Sequence, residues 1–179
     1  MDNWAEDHRT VRPGVVTDKS LSVAEEYPNK RLIIHYLQPH APYIGSTGKQ
    51  LPSDYLNFWS SFTAGEFDLD LETAKQAYYE NVEIVIPHVE QLLTELQGKT
   101  VVTADHAELL GERDRPIPIR RYGHAAYTYI PELVEVPWLT YQNGNRKDII
   151  TEDKGTEEIG KRITEDTVKE RLKDLGYVD

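Results

Sequence analysis

An α/β fold, with a mostly parallel sheet flanked by helices, is the class this sequence predicts, and three observations carry it. Arg31-Leu32-Ile33-Ile34-His35-Tyr36-Leu37 is a short apolar run, β-branched at its centre and stopped by Pro39, which suits a buried strand. From Asp68 the period changes. Leu71, Ala74, Tyr78, Val82, Val85, Val89, Leu92 and Leu96 recur at steps of three and four, the spacing of one helix face. Thr100-Val101-Val102-Thr103-Ala104 follows at once as a second strand. Strand, long helix, strand in that order is a crossover unit, which pairs its strands in parallel.

The remaining segments fit around that unit. Residues 1–28 read as an irregular N-terminal arm, with turn signals at Pro13-Gly14 and at Tyr27-Pro28-Asn29, and residues 29–179 as the α/β domain. Residues 39–53 carry three prolines and two glycines and form a loop. Phe58, Trp59 and Phe62 stand at near-helical spacing and belong to the core. Pro87 removes one backbone donor from the long helix, so a kink or two abutting helices are expected there, and Gly98 supplies the stop. Val136-Pro137-Trp138-Leu139-Thr140-Tyr141 is a third strand, at an edge because of its proline, closed by Asn143-Gly144. A last helix from about Thr164 to Leu175 places Val168, Leu172 and Leu175 on one face.

Composition narrows the function classes. The 179 residues hold 20 Lys and Arg against 31 Asp and Glu, a formal charge of −11 that repels phosphate backbones and anionic membranes. Neither nucleic acid nor a membrane is therefore an expected partner. There is no cysteine, which removes disulfides, thiolate metal sites and a cysteine nucleophile together. The opening residues MDNWAEDHRT lack the basic start and apolar segment of a secretory signal, and no apolar run is long enough to span a bilayer, so a cytoplasmic location is expected.

In open α/β sheets, functional groups gather beyond the carboxyl ends of strands. The first strand runs out into Pro39-His40-Ala41-Pro42-Tyr43, and the second into Asp105-His106. His124 lies in the loop before the last strand. An adjacent Asp-His pair at a strand end can offer one carboxylate oxygen and one imidazole nitrogen to a single metal, with His124 adding another nitrogen. Mixed N/O sets suit Zn, Mn or Fe, whereas Ca and Mg prefer oxygen shells. Loop capping or surface hydrogen bonding remains open for the same pair.

The order of these blocks has a counterpart. Thr103-Ala104-Asp105-His106-Ala107-Glu108-Leu109-Leu110-Gly111-Glu112 resembles the T-x-D-H-G-E-x-L-G-E block of the sulfatase-like branch of the alkaline phosphatase superfamily. Pro39-His40-Ala41-Pro42-Tyr43 is similar to its P-H-x-P-Y block. Tyr122-Gly123-His124, followed by Pro131-Glu132-Leu133-Val134-Glu135-Val136-Pro137-Trp138, resembles the downstream G-K/x-H … E-L … V-P block. The tail Arg171-Leu172-Lys173-Asp174-Leu175-Gly176-Tyr177 is similar as well.

The resemblance implies an alkaline-phosphatase/sulfatase-like fold and hydrolysis of a sulfate or phosphate ester. Asp105 and His106 would be ligands of a divalent metal, with Ca, Mn and Zn all compatible with the family. His40 and His124 would contact the anion, ligate the metal or protonate the leaving group, and an anionic ester would be the substrate.

Departures from the pattern limit that reading. The C/S-x-P-x-R nucleophile block is absent, Ala107 replaces the usual Gly, and Arg113 stands where His commonly follows Gly-Glu. The match begins near residue 30, so it corresponds to the later half of such enzymes, without their N-terminal strand and nucleophile region. Two expectations follow: one part of a split or truncated hydrolase needing an N-terminal half-enzyme, or a non-catalytic remnant that binds a partner or self-associates through an unpaired sheet edge.

Elsewhere the motifs are weak. Gly45-Ser46-Thr47-Gly48-Lys49 fails the Walker pattern, because Tyr43 and Gln50 occupy its required Gly and Ser/Thr positions, and reads as a flexible tip. His88 reads as structural, His8 as part of the arm, and the acidic cluster from Thr151 to Glu158 as a solvated face.

Overall fold

The computed structural model describes residues 10–51, 58–66, 68–113 and 118–151. In chain order these form α1 (Pro13–Glu26), a 3-10 turn (Gly48–Gln50), α2 (Phe58–Ala64), α3 (Leu71–Glu95), β1 (Gly98–Val102), β2 (Leu109–Arg113), β3 (Arg120–Gly123), α4 (Pro131–Val134) and β4 (Leu139–Asn143). The expected parallel sheet is not there. Among the described residues, the strands form two separate two-stranded antiparallel sheets, β1 with β4 and β2 with β3. The alkaline-phosphatase/sulfatase-like fold class is therefore corrected. The expected C-terminal helix, His8 and the acidic cluster beyond Thr151 lie outside the described residues.

The reason lies in residues 31–37. They run extended, as their β-branched composition dictates, but no backbone hydrogen bond joins residues 31–36 to another described segment. Ile33 is 99% exposed, and among the described residues the run is a strand without a sheet. Without it as a neighbour, β1 pairs with β4 in the register Gly98↔Asn143 to Val102↔Leu139, and the crossover is lost.

The N-terminal arm is also corrected: residues 13–26 are helical. Pro13 opens α1 at the position where its missing N–H costs nothing, so the Pro-Gly pair begins a helix rather than a turn. The helix carries three Val, one Thr and a Gly, all poor helix formers, and packing carries it instead. Thr17 is fully buried, bonding back to the Pro13 carbonyl and at 2.7 Å to the Tyr36 hydroxyl. Gly14 lets α1 close onto α3, since a Cβ there would stand 3.2 Å from the His88 ring. His88 is thus a packing residue, as its position on the long helix suggested.

α3 continues through Pro87 as one helix, so the alternative of two abutting helices does not hold. Asp70 caps it, accepting from the Thr73 amide at 2.9 Å and the Thr73 hydroxyl at 2.7 Å. Its buried stripe is Ala74, Ala77, Asn81, Val85 and Leu92, rotated slightly from the purely apolar face. Against this stripe sits the core of Ala41, Tyr43, Phe58, Trp59 and Leu110, with Phe62, Tyr78 and Tyr122 packed around it.

The loop at residues 45–49 is not a free tip. Glu80 on α3 accepts from the Thr47 amide at 2.8 Å, the Thr47 hydroxyl at 2.7 Å and the Ser46 hydroxyl at 3.1 Å. Partial burial pushes the Glu80 carboxyl up, but the bonds from Thr47, Gln76 and Ser46 together outweigh it and hold its pKa below the ordinary 4.5. A depressed carboxyl stabilises the fold above its unfolded value and loses that contribution as pH falls through its folded value. Glu80→Gln is therefore expected to cost about 0.5–1 kcal/mol at pH 7 after solvent screening, and almost nothing once acid protonates the wild-type carboxyl. Urea midpoints of both proteins at the two extremes check this; an equal gap at both pH values would rule out the carboxylate as its source.

Candidate metal centre

Three segments bring the candidate residues together, and each has a local reason for its path. The Pro39–Tyr43 loop is fixed from beneath by Asn81, which is fully buried. Its amide donates to the carbonyls of His40 and Pro42, both at 3.1 Å, and more weakly to Pro39 at 3.4 Å, while its oxygen accepts from Ile44 N–H at 2.8 Å. The loop contains cis peptide bonds before Pro39 and Pro42. His40 is carried at its crest.

The Asp105–Glu108 segment leaves β1 and is held where the Ala107 N–H meets the Leu133 carbonyl of α4 at 2.9 Å. The Pro131-Glu132-Leu133 block thus supports the Asp-His block directly. His124 follows β3. The β2–β3 ladder ends with Leu109 opposite Gly123, so the next positions along both strands, Glu108 and His124, stand opposite each other. A bulge at Gly111, with φ +106, lies further along the same ladder.

The resulting cluster is tight. The ring of His124 lies 4.2 Å from that of His106 and 5.3 Å from that of His40, centroid to centroid. His124 Nδ1 stands 2.9 Å from Glu108 Oε2. Asp105 sits at the rim: its Oδ1 accepts from the His106 N–H at 3.1 Å, and its Oδ2 lies 3.8 Å from His106 Nε2. His40, Asp105, His106 and His124, the residues singled out from the sequence, share one neighbourhood. Glu108 was not singled out.

Electrostatics make Glu108 the centre of this group. Its side chain is only 7% exposed, against 56% for Asp105. Oε2 faces His124, and Oε1 is buried with no hydrogen-bond partner among the described residues. The hydrogen bond to Glu108 raises the His124 pKa against the opposing effect of burial, helped by the charges of Glu108 and Asp105. The same negative charge reaches the interior: burial first, then Glu108, pushes the Tyr78 phenol to about 12 and raises Tyr43 as well.

His106, Glu108 and His124 could hold a metal ion, because one ligand atom from each lies within 4.8 Å of the others. A buried carboxylate oxygen without a donor is the kind of group a cation satisfies. The imidazoles are also set for it. His40 and His106 each bond through Nδ1 to the next residue's carbonyl, Ala41 and Ala107. A carbonyl only accepts, so Nδ1 carries the proton and Nε2 keeps its lone pair.

Arg120 and Arg121 lie on β3, where they pair in register with Arg113 and Glu112. No described helix is long and apolar enough to cross a membrane. Comparisons of the chain with protein-family models, with curated proteins and with solved structures find no match.

Proposed function

We propose that this chain is the metal-holding part of a hydrolase for sulfate or phosphate esters, with the nucleophile supplied from outside these residues. One observation carries the reading. Motif residues distant in sequence, His40, Asp105–His106 and His124, meet in one cluster whose imidazole rings lie 4.2 and 5.3 Å apart. A divalent cation, Ca, Mn or Zn, would act there as a Lewis acid on the ester's charged oxygens.

The protein's own groups take the other roles. His106, Glu108 and His124 would hold the ion, with Asp105 at the rim. His40 then remains for the anion. Its Nδ1 is engaged by the Ala41 carbonyl, which leaves Nε2 to contact a non-bridging oxygen or, once protonated, to donate to the leaving oxygen. The chain has no C/S-x-P-x-R block, so bond cleavage awaits a partner's hydroxyl or formyl-type nucleophile.

The test is calorimetry of inorganic sulfate and phosphate on the metal-loaded chain, beside turnover of 4-nitrophenyl sulfate and phosphate. Anion binding that His40→Ala abolishes, without turnover, is the expected result. No anion binding would overturn the ester reading. Robust turnover lost in Asp105→Ala would overturn the need for an external nucleophile.

The unpaired run at residues 31–36 favours a second reading, in which the chain is a non-catalytic module that associates through this edge. Its backbone groups, unpaired among the described residues, and the exposed Ile33 suit strand pairing with another polypeptide or a second copy. Light scattering at high micromolar concentration should show association that Ile33→Lys abolishes. A strictly monomeric chain would count against self-association.

A further inference from the structure

We propose that Tyr127, with Tyr129 and Trp138, forms an aromatic shelf at the rim of the histidine cluster and selects esters whose organic part is a flat ring. The inference rests on the ester reading above and adds the class of organic group, which the cluster itself does not specify.

A strained turn is the first observation. Thr128 N–H donates to the Ala125 carbonyl at 3.2 Å, closing a turn directly after His124. Tyr127 is its third residue and has a φ of +62, a left-handed conformation that suits Gly or Asn and disfavours a bulky side chain. Turn chemistry therefore does not account for a tyrosine here. Core packing does not either, because the side chain is 91% exposed. A ring that serves neither the turn nor the core, held against its backbone preference beside a candidate site, points to a ligand.

Three segments that frame the cluster each place one such ring in water. Tyr127 follows His124 by three residues, so their Cα atoms lie within about 11 Å. Tyr129, 80% exposed, directly precedes Ile130, the N-cap of α4, the helix whose Leu133 carbonyl holds the Ala107 N–H. The β1–β4 ladder ends with Leu139 opposite Val102, which sets Trp138, 70% exposed, opposite Thr103 and two residues from Asp105 along that strand.

The ring types fit a binding role. Phe58 and Phe62 pack in or against the core, whereas the rings at the rim are Tyr and Trp, which carry a polar tip and tolerate water until a ligand covers the face. Each offers a broad surface with only two side-chain torsions to immobilise. The cluster of imidazoles and carboxylates takes the charged oxygens, and a ring joined to the ester oxygen then meets the shelf. Aryl and sugar rings share that shape. The net charge of −11 favours a ring without further anionic groups.

The experiment is calorimetry of methyl phosphate, phenyl phosphate and glucose 6-phosphate on the Zn-loaded chain, with Tyr127→Asn and Trp138→Ala beside wild type. At least one ring ester should bind about tenfold tighter than methyl phosphate, and the tighter of the two names the source of the ring. Tyr127→Asn should remove most of that advantage and melt at or above the wild-type temperature, since Asn accepts the left-handed conformation. Proton NMR of the Tyr127 ring during a phenol titration reads the shelf without any phosphate.

Ring esters no tighter than methyl phosphate would overturn the shelf and spare the ester reading. A Tyr127→Asn variant that melts well below wild type, or loses methyl and phenyl phosphate equally, would show that the ring serves the loop carrying His124 and would also overturn it. No phosphate ester bound, with phenol still shifting the Tyr127 signals, would overturn the ester reading and keep the shelf; no binding and no shift would overturn both.

Discussion

Replacing Asn81 by leucine is expected to destabilise the protein by about 3–5 kcal/mol, although leucine has similar volume and the position lies on the buried face of a helix. The side chain is fully buried and satisfies Ile44 N–H and the carbonyls of His40 and Pro42, with a longer contact to Pro39. Leucine would leave those backbone groups without partners, each at a desolvation cost of about 1–3 kcal/mol, partly recovered where the loop can shift toward water. Aspartate should do no better at neutral pH. It keeps an acceptor for Ile44 N–H but turns a negative oxygen toward carbonyls, and acid should restore part of the loss by protonating it. Urea denaturation at two pH values measures both variants. Because the same bonds hold the loop that carries His40, the leucine variant should also lose sulfate and phosphate binding before it loses metal. A leucine variant as stable as wild type would show that the loop holds itself.

How far the sequence discloses this arrangement depends on whether a feature is local or paired. Local conformation was legible: the α3 period, the β-branched extended run at 31–37, and short strands near 100–104 and 136–141 all reflect the chain's own side chains. Pairing was not. The run at 31–37 has the composition of a central strand, yet composition says nothing about which strand lies beside it, and β1 meets β4 antiparallel instead. β2 and β3 escaped notice because Leu109–Arg113 and Arg120–Gly123 are short, charged and carry glycines.

The candidate site shows the same division. His40, Asp105, His106 and His124 stand out because histidines are few and sit in recognisable blocks. Glu108 is one of 31 acidic residues, and nothing in its neighbours marks it as buried. Only the ladder register, which sets Leu109 opposite Gly123, identifies it as the partner of His124. Asn81 was hidden for a related reason: a polar residue in an apolar stripe reads as an interruption, whereas here it occupies the stripe's centre and ties a loop to the helix.

The position of His124 depends on aromatic packing beneath β3, and Trp59 is where that dependence should show. Its ring stacks on Tyr122 with centroids 5.9 Å apart and planes 9° from parallel. Its Cβ lies 3.0 Å from where a Cβ on Gly123 would stand, so the residue before His124 is a glycine for want of space as well as for its φ of +73. Trp59→Ala removes this support and should cost about 3–5 kcal/mol. It should also weaken Zn binding by about 10–100-fold, since His124 loses the surface that sets its approach to Glu108 and His106. Trp59→Phe makes the discriminating comparison. Phenylalanine keeps a stacking ring and gives up only the interaction of the buried indole Nε1 with the Tyr43 side chain. The smaller ring leaves some space unfilled, and the net cost should stay below about 1.5 kcal/mol with Zn affinity preserved. Thermal melts and Zn titrations on both variants separate the alternatives. If alanine lowers stability yet leaves Zn affinity intact, the β2–β3 hairpin holds the site by its backbone bonds alone, and the aromatic core serves the fold without serving the metal centre.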